Sequence, residues 1–363
     1  MLPKDFQIKI KTLPNISPEL LKNNGSEPLL NTLRKAKIEI PTSCENGLCA
    51  TCKGRLYRGS VSYPEIQPEG LLPEEAEQGD ILLCCAHPTS DCEIDHPELL
   101  APGEFPSRFF KIETFEFKQI HPHVLELSLF FNPQTFFNFL PGQYAELILN
   151  NQRYPLSMAM PPKHNQNNPI IFHIVQTELD KPHLLIEALK KLKELKELKK
   201  NTDTNTNQFL LLEGPKGRSY FKKENFPHHS QKNTDFIFIA GGGGITPMWS
   251  MIPEALSNLS AENSDTTHKV HLYWGVRDET LLYQKNIIQT WSEKYSSDYF
   301  KFTTSVGSPI HEAVFNDLKP HLFSHPIFFI AGPPAMVKTI YNALTQQFGI
   351  PSEQIFGDGI AFV

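Results

Sequence analysis

The sequence predicts a multidomain chain in which a small α+β unit, an antiparallel β-barrel and a parallel α/β sheet follow one another. Three observations carry this. The 363 residues exceed what one ordinary hydrophobic core organises. All six cysteines lie between residues 44 and 92, so the first quarter is chemically distinct. The hydrophobic pattern then changes: alternating strands with Pro and Gly turns give way to continuous apolar strands interleaved with helical stretches. The implied domains are 1–100, 107–230 and 233–363, with the Pro-flanked stretch 99–106 as a linker.

In the first segment, 7–11 alternates as a strand does, and 27–37 spaces Leu29, Leu30 and Leu33 as a short helix would. Stretches 54–63 and 81–85 read as further strands. The second segment has strand-like runs at 112–117, 124–130, 144–149, 170–175 and 209–212, the pattern of a small antiparallel barrel. Its helix at 184–200 carries six Lys and three Glu within 187–200, a solvated face or else a docking surface. In the third segment the apolar runs 236–240, 270–274 and 327–331 alternate with helical stretches, which means a parallel sheet covered on both faces.

Composition excludes several functions. A net charge of −6 argues against nucleic acid, whose phosphates need a basic surface. Residues 1–98 hold 15 acidic against 10 basic residues, which either steers a basic protein partner or simply confers solubility. No run approaches the roughly 18 apolar residues of a membrane span, so no integral membrane segment is expected. The first ten residues include Lys4 and Asp5 and lack an apolar core, so no secretory signal is expected and the location is cytoplasmic.

Residues 44–52 read C-E-N-G-L-C-A-T-C, the Cys-x4-Cys-x2-Cys spacing of plant-type [2Fe–2S] clusters, with further cysteines downstream. Two irons need four soft thiolates, and a tight loop lets Cys44, Cys49 and Cys52 come from one segment. Gly47 and Gly54 let the backbone fold closely and allow positive φ. A zinc site would more often use two separated Cys-x2-Cys pairs. Cys84 and Cys85 are adjacent, so on a strand only one can face the cluster, and the other reads as a small buried hydrophobe, as does Cys92.

The stretches G-S-E-P-L-L-N-T-L-R-K-A-K-I-E-I-P-T-S-C and G-D-I-L-L-C-C-A-H-P-T-S-D resemble the cluster-holding segments of plant-type ferredoxins. That resemblance implies a β-grasp ferredoxin (α+β) domain and makes Cys84 the fourth ligand. Ala50 stands where relatives often have Gly or Ser.

Residues 236–247, F-I-F-I-A-G-G-G-G-I-T-P, join a buried strand to a glycine turn and a helix start. Glycines admit a pyrophosphate to the backbone, and the helix start offers free N–H groups. With F-F-I-A-G-P-P-A-M-V and Y-W-G-V-R-D-E-T-L-L-Y, this stretch resembles ferredoxin–NAD(P)H reductase-like enzymes. F-L-P-G-Q-Y-A-E-L and L-L-E-G-P-K-G-R-S-Y-F are similar to the flavin barrel of that family, and F-G-D-G-I-A-F-V to the C-terminus of NAD(P)H-flavin reductases. The resemblance covers nearly the whole chain and matches the domain order of reductases serving oxygenases and deoxysugar-forming dehydratases.

The resemblance implies that Gly241, Gly242, Gly244, Thr246, Pro247, Arg277, Gly332, Pro333 and Met336 seat the nicotinamide nucleotide. It implies a flavin lined by Arg153, Tyr154, Pro155, Leu156 and Ser157, with the Ser157 hydroxyl at N5 and Phe362 over the ring. FAD is expected and FMN is open, because Tyr154 stands where the family has Arg and Leu156 where it has an aromatic. Ala331 replaces the Cys often found before Gly-Pro-Pro. Asp278 and Glu279 would repel a 2′-phosphate, so NADH is favoured.

The expected function is an NAD(P)H-dependent reductase that passes electrons through flavin and a [2Fe–2S] cluster to an oxygenase, hydroxylase or dehydratase component. One rival is a reductase that releases free reduced flavin. The other is a ferredoxin-like carrier without a working flavin site.

Overall fold

The computed structural model describes residues 5–12, 21–163, 168–176, 183–199, 210–222, 234–260, 269–295, 297–318, 323 and 325–357. The chain forms two compact units, Met1–Phe105 and Pro106–Val363.

The first unit runs β1 (Phe6–Ile10), β2 (Lys22–Asn23), α1 (Leu29–Lys35), β3 (Lys53–Arg58), β4 (Val61–Ser62), α2 (Pro73–Glu77), β5 (Asp80–Leu82), β6 (His87–Pro88) and β7 (Cys92–Asp95). Five strands make a mixed sheet in the order β2-β1-β7-β3-β5, with β1 and β7 parallel. Alternation explains β1: Ile8 and Ile10 are buried and Lys9 between them is exposed. Helix α1 closes the core with Leu29, Leu30 and Leu33, three apolar side chains on one face.

Two strand expectations change. The strand expected at 81–85 stops at Leu82, whose carbonyl accepts from the N–H groups of Cys85 (3.1 Å) and Ala86 (2.9 Å). Cys84 and Cys85 therefore sit on a turn, and the opposite-faces argument does not apply to them. The stretch 54–63 breaks into β3 and β4 at Gly59, whose φ is 96° and where a Cβ would lie 2.2 Å from the Asp91 carbonyl.

The second unit begins with β8 (Arg108–Lys111), β9 (Thr114–His121), β10 (Val124–Phe130), β11 (Tyr144–Leu149), β12 (Gln152–Ser157), β13 (Ile170–Val175), α3 (Leu184–Lys199) and β14 (Leu211–Lys216). These strands form two antiparallel sheets, β12-β11-β14-β8 and β13-β10-β9, joined by a bridge between Met158 and Phe172. Both sheets contribute to one core that contains Leu127, Leu147, Phe172 and Leu212. Among the described residues the strand pairing forms two sheets and does not run continuously round. Leu185, Leu189 and Leu192 of α3 enter this core, while Lys190, Lys191 and Lys193 are exposed, as a solvated face requires.

The unit continues with β15 (Asp235–Gly241), α4 (Ile245–Ser260), β16 (Lys269–Val276), α5 (Lys285–Lys294), β17 (Phe300–Val306), α6 (Ile310–Leu318), β18 (Ile327–Ala331), α7 (Pro334–Gln346) and β19 (Ile355–Phe356). Its five strands are all parallel, in the order β17-β16-β15-β18-β19. Every residue of β15 is buried, as a strand covered on both faces demands. Phe236, Phe238 and Ala240 pack with α4 and α5, whereas Ile237 and Ile239 pack with α6 and α7. The carboxyl ends of β15, β16 and β18 then border a crevice, the usual ligand position in such sheets. Among the described residues no helix is long and apolar enough to cross a membrane.

Burial pushes His173 and His271 down to about 4, so both are neutral in the folded chain. The unfolded chain protonates both near pH 6.5, so stability is full above that value and falls as pH drops toward 4. The expected loss is up to about 1.4 kcal/mol per pH unit for each histidine. Urea unfolding at pH 7, 6 and 5 measures it, and His271→Gln should flatten the slope.

Candidate functional site

The first unit presents the cysteine loop. Cys44 N–H donates to Cys49 Sγ at 3.5 Å, and Cys49 N–H donates to Cys44 Sγ at 3.3 Å. Cys52 is buried and hydrogen-bonds Cys84. Cys84 also hydrogen-bonds Cys85, so Cys44 and Cys49 form one group of thiols and Cys52, Cys84 and Cys85 a second, and a two-iron cluster takes four thiolates of this kind. Among the described residues no three His, Cys, Asp or Glu side chains converge on a single ion position, as a mononuclear site would require. Cys85 Sγ leans on the Leu82 carbonyl at 3.6 Å and lies 3.5 Å from where a Gly47 Cβ would be.

The loop is held by backbone contact. Gly47 has φ 78°, and a Cβ there would lie 2.6 Å from the Gln67 carbonyl. Glu45 (φ 53°) and Ala50 (φ 57°) are also left-handed. Gly54 has no such φ; its constraint is space, since a Cβ would meet the Asp95 carbonyl at 2.7 Å. Arg34 grips the Glu45 carboxylate with both terminal nitrogens, at 3.0 and 2.5 Å. Hydrogen bonds, first from Thr51, lower Cys49 to about 6, while burial raises Cys52 to about 12. Of the two, Cys49 is thus the one that loses its proton more readily.

The second unit holds a cavity of about 980 Å³ at the crevice described above. Gly241, Gly242, Gly244, Pro247, Arg277, Gly332, Pro333 and Met336, all expected at the nucleotide, line it. Their roles differ. A Cβ on Gly242 (φ 52°) would meet nothing within 4 Å, whereas one on Gly244 would lie 2.1 Å from the Ala331 carbonyl. Gly242 is open to a ligand, and Gly244 lets two strand ends touch. Thr246 is absent from the lining: its hydroxyl turns inward and donates to the Gly243 carbonyl at 2.9 Å.

Of the five residues expected at the flavin, only Ser157 lines the cavity. Tyr154 and Leu156, on the alternate face of β12, pack against the sheet core. Arg153 is ion-paired with Glu146 (2.5 Å) and Glu213, and Pro155 is exposed. Lys216 joins the same carboxylates at 2.9 and 3.0 Å. Phe362 lies outside the described residues. The carboxylates on which the NADH preference rests are engaged elsewhere: Asp278 accepts from Thr280, and Glu279 pairs with Lys285 at 2.8 Å. Among the described residues no Asp or Glu lines the cavity, and Arg277 does.

Sequence reasoning missed Gly142, Ser219, Met251, Ser308 and His311, which also line the cavity. Gly142 and Ser219 lay inside quoted motifs without a role. Gly142 (φ 99°) approaches both Ser219 and Met251, each 2.6 Å from a would-be Cβ. The flavin-side loops and the glycine turn therefore wall one cavity.

Residues 16–89 match the family described as 2Fe-2S iron-sulfur cluster binding domain, and residues 238–342 match the oxidoreductase NAD-binding domain. The chain joins a [2Fe–2S] domain to an oxidoreductase NAD-binding domain. Over 358 residues the chain is 29% identical to the CDP-6-deoxy-L-threo-D-glycero-4-hexulose-3-dehydrase reductase of Yersinia pestis, covering 95% of each. It is 26% identical to the ferredoxin–NAD(P)+ reductase component of the Pseudomonas putida naphthalene 1,2-dioxygenase system, covering 91% of this chain and 92% of that one. An Amycolatopsis cytochrome P450 reductase has a similar fold, with a TM-score of 0.55 at 20% identity over 97% of this chain and 98% of that one. The [2Fe–2S]–NAD-binding chain thus has a ferredoxin-reductase-like fold.

The two glycines should respond differently to the same substitution. Gly244→Ala should lower stability by about 1–3 kcal/mol through overpacking. Gly242→Ala should fold, with about 1 kcal/mol of backbone strain, and weaken nucleotide binding. Thermal melts beside NADH titrations separate the two.

Proposed function

We propose that this chain is an NAD(P)H-dependent reductase delivering single electrons to a protein acceptor of the oxygenase or dehydratase-component type. The observation that carries the reading is that flavin-side residues Gly142, Ser157 and Ser219 line the same cavity as the glycine turn of the NAD-binding domain. When bound, NAD(P)H supplies hydride, flavin converts the electron pair to single electrons, and the [2Fe–2S] group carries them onward.

The chain's own residues bind and orient. Cys44, Cys49, Cys52 and Cys84 hold the cluster. Gly242, Pro247, Gly332 and Pro333 receive the nucleotide, and Ser157 gives its hydroxyl to the flavin. In this reading the domains are a β-grasp ferredoxin domain at 1–100, a flavin barrel at 107–230 and a nicotinamide domain at 233–363. A cytoplasmic setting fits six cysteines that are all free thiols. FAD is the preferred flavin.

One observation favours a second reading, in which reduced flavin leaves the protein. Arg153, the nearest cation to the family's flavin arginine, is engaged by Glu146 and Glu213. A flavin phosphate there meets a cation that is already paired.

An anaerobic visible spectrum before and after NADH tests both readings. Flavin and cluster bands that survive gel filtration and bleach together support internal transfer. A cluster that reduces only after flavin is added supports the second reading, and a cluster that NADH never reduces sinks both. Cys49→Ser should abolish reduction of a one-electron protein acceptor such as cytochrome c and leave NADH-dependent reduction of a two-electron dye.

A further inference from the structure

Helix α1 touches both segments that carry the candidate cluster cysteines. At its start, Leu29 N–H donates to the Ala86 carbonyl and Leu30 N–H to the Leu83 carbonyl, each at 2.9 Å, on either side of Cys84 and Cys85. In its last turn Arg34 reaches the other segment. One terminal nitrogen donates to Glu45 Oε2 at 3.0 Å. The second donates to Glu45 Oε1 at 2.5 Å and to Thr42 Oγ1 at 3.4 Å. Glu45 directly follows Cys44 and is left-handed, with φ 53°.

Other bonds act elsewhere on the loop. Leu83 N–H donates to the Cys52 carbonyl at 3.2 Å, and Gly70 N–H to the Gly47 carbonyl at 2.7 Å, which hold its far end and its middle. Arg34 acts at the Cys44 end. Both side chains of the Arg34–Glu45 pair are nearly half exposed, at 46% and 43%. An ion pair this open to water adds little to folding stability, so its consequence is local. A cluster held by four thiolates is anionic, and taking up an electron adds a further negative charge. A carboxylate beside it opposes that step, and a guanidinium favours it. The planar arginine fork meets a carboxylate oxygen for oxygen, which cancels one charge against the other and fixes the direction of both.

We propose that Arg34 is a positioning residue that clasps Glu45, tying the Cys44 end of the loop to α1 and cancelling the one carboxylate adjacent in sequence to Cys44, so that the cluster accepts its electron without that charge opposing it. This rests on Cys44, Cys49, Cys52 and Cys84 holding the cluster. Helix α1 is then a strut between the two ligand-bearing segments, fixed to one by backbone and to the other by charge.

The test uses the full-length protein carrying its cluster. A redox titration followed by electron paramagnetic resonance gives the midpoint potential, and bleaching of the visible bands in EDTA gives the rate of cluster loss. Arg34→Ala leaves the carboxylate unpaired and should lower the potential. Glu45→Gln leaves the guanidinium unpaired and should raise it. Either change should speed cluster loss roughly threefold, the scale of one exposed ion pair. The two changes together should return the potential to the wild-type value while cluster loss stays fast. Arg34→Lys, which keeps the charge without the fork, should hold the potential and still lose the cluster faster than wild type. If the two single variants leave the potential unmoved or shift it in the same direction, or the double variant does not return it, the charge role is overturned. If cluster loss keeps the wild-type rate in all four variants, the tie to α1 is overturned. If the wild type carries no cluster, the ligand reading falls and takes the clasp with it.

Discussion

Two parallel strands, β15 and β18, lie side by side with Ala240 opposite Ala331, and beyond that pair their backbones must pass almost atom against atom. A side chain on Gly244 would begin 2.1 Å from the Ala331 carbonyl, and one on Gly332 would begin 3.0 Å from Gly241 Cα. Only bare backbone permits this approach. Because it is permitted, α4 and α7 start beside each other at one edge of the sheet, and the space between their first turns becomes the floor of the cavity. Were the strand ends held apart, Met336 would lose the position where it packs between Gly241 and Gly332. The same economy operates at the opposite wall, where Gly142 lets the flavin-side loop touch Met251 of α4 and the Ser219 backbone.

The cysteine loop obeys a related rule with a different result. Gly47 and Gly70 bring segments 44–52 and 66–71 into backbone contact, and Gly70 N–H donates to the Gly47 carbonyl at 2.7 Å. Two non-glycine residues of the loop, Glu45 and Ala50, are nonetheless left-handed, at a cost of about 1–2 kcal/mol each. Such conformations persist where the surroundings impose them. At Glu45 the surroundings are the two-nitrogen grip of Arg34. Ala50 stands between the exposed Cys49 and the buried Cys52, where the loop reverses.

What was legible in the sequence was chemistry confined to one segment. The cysteine spacing and the glycine runs act through their immediate backbone, so reading them needed no tertiary partner. The flavin strand was not legible in the same way. Whether Tyr154 or Ser157 faces the cavity depends on the register of β12 against β11, and Arg153 is removed from the site by Glu213, 60 residues away. The opposite-faces argument for Cys84 and Cys85 failed because a strand was extended over a turn that the Leu82 carbonyl closes. Thr246 was assigned to the ligand because of its place in a motif, yet its hydroxyl closes the glycine turn instead.

The lining of the cavity also argues about the kind of chemistry it serves. Among the described residues its polar side chains are Ser157, Ser219, Arg277, Ser308, His311 and Thr339. Glycine backbone, small hydroxyls and one guanidinium are what a phosphate-bearing nucleotide needs for binding and orientation. A site built this way contributes geometry and leaves the bond changes to what it binds.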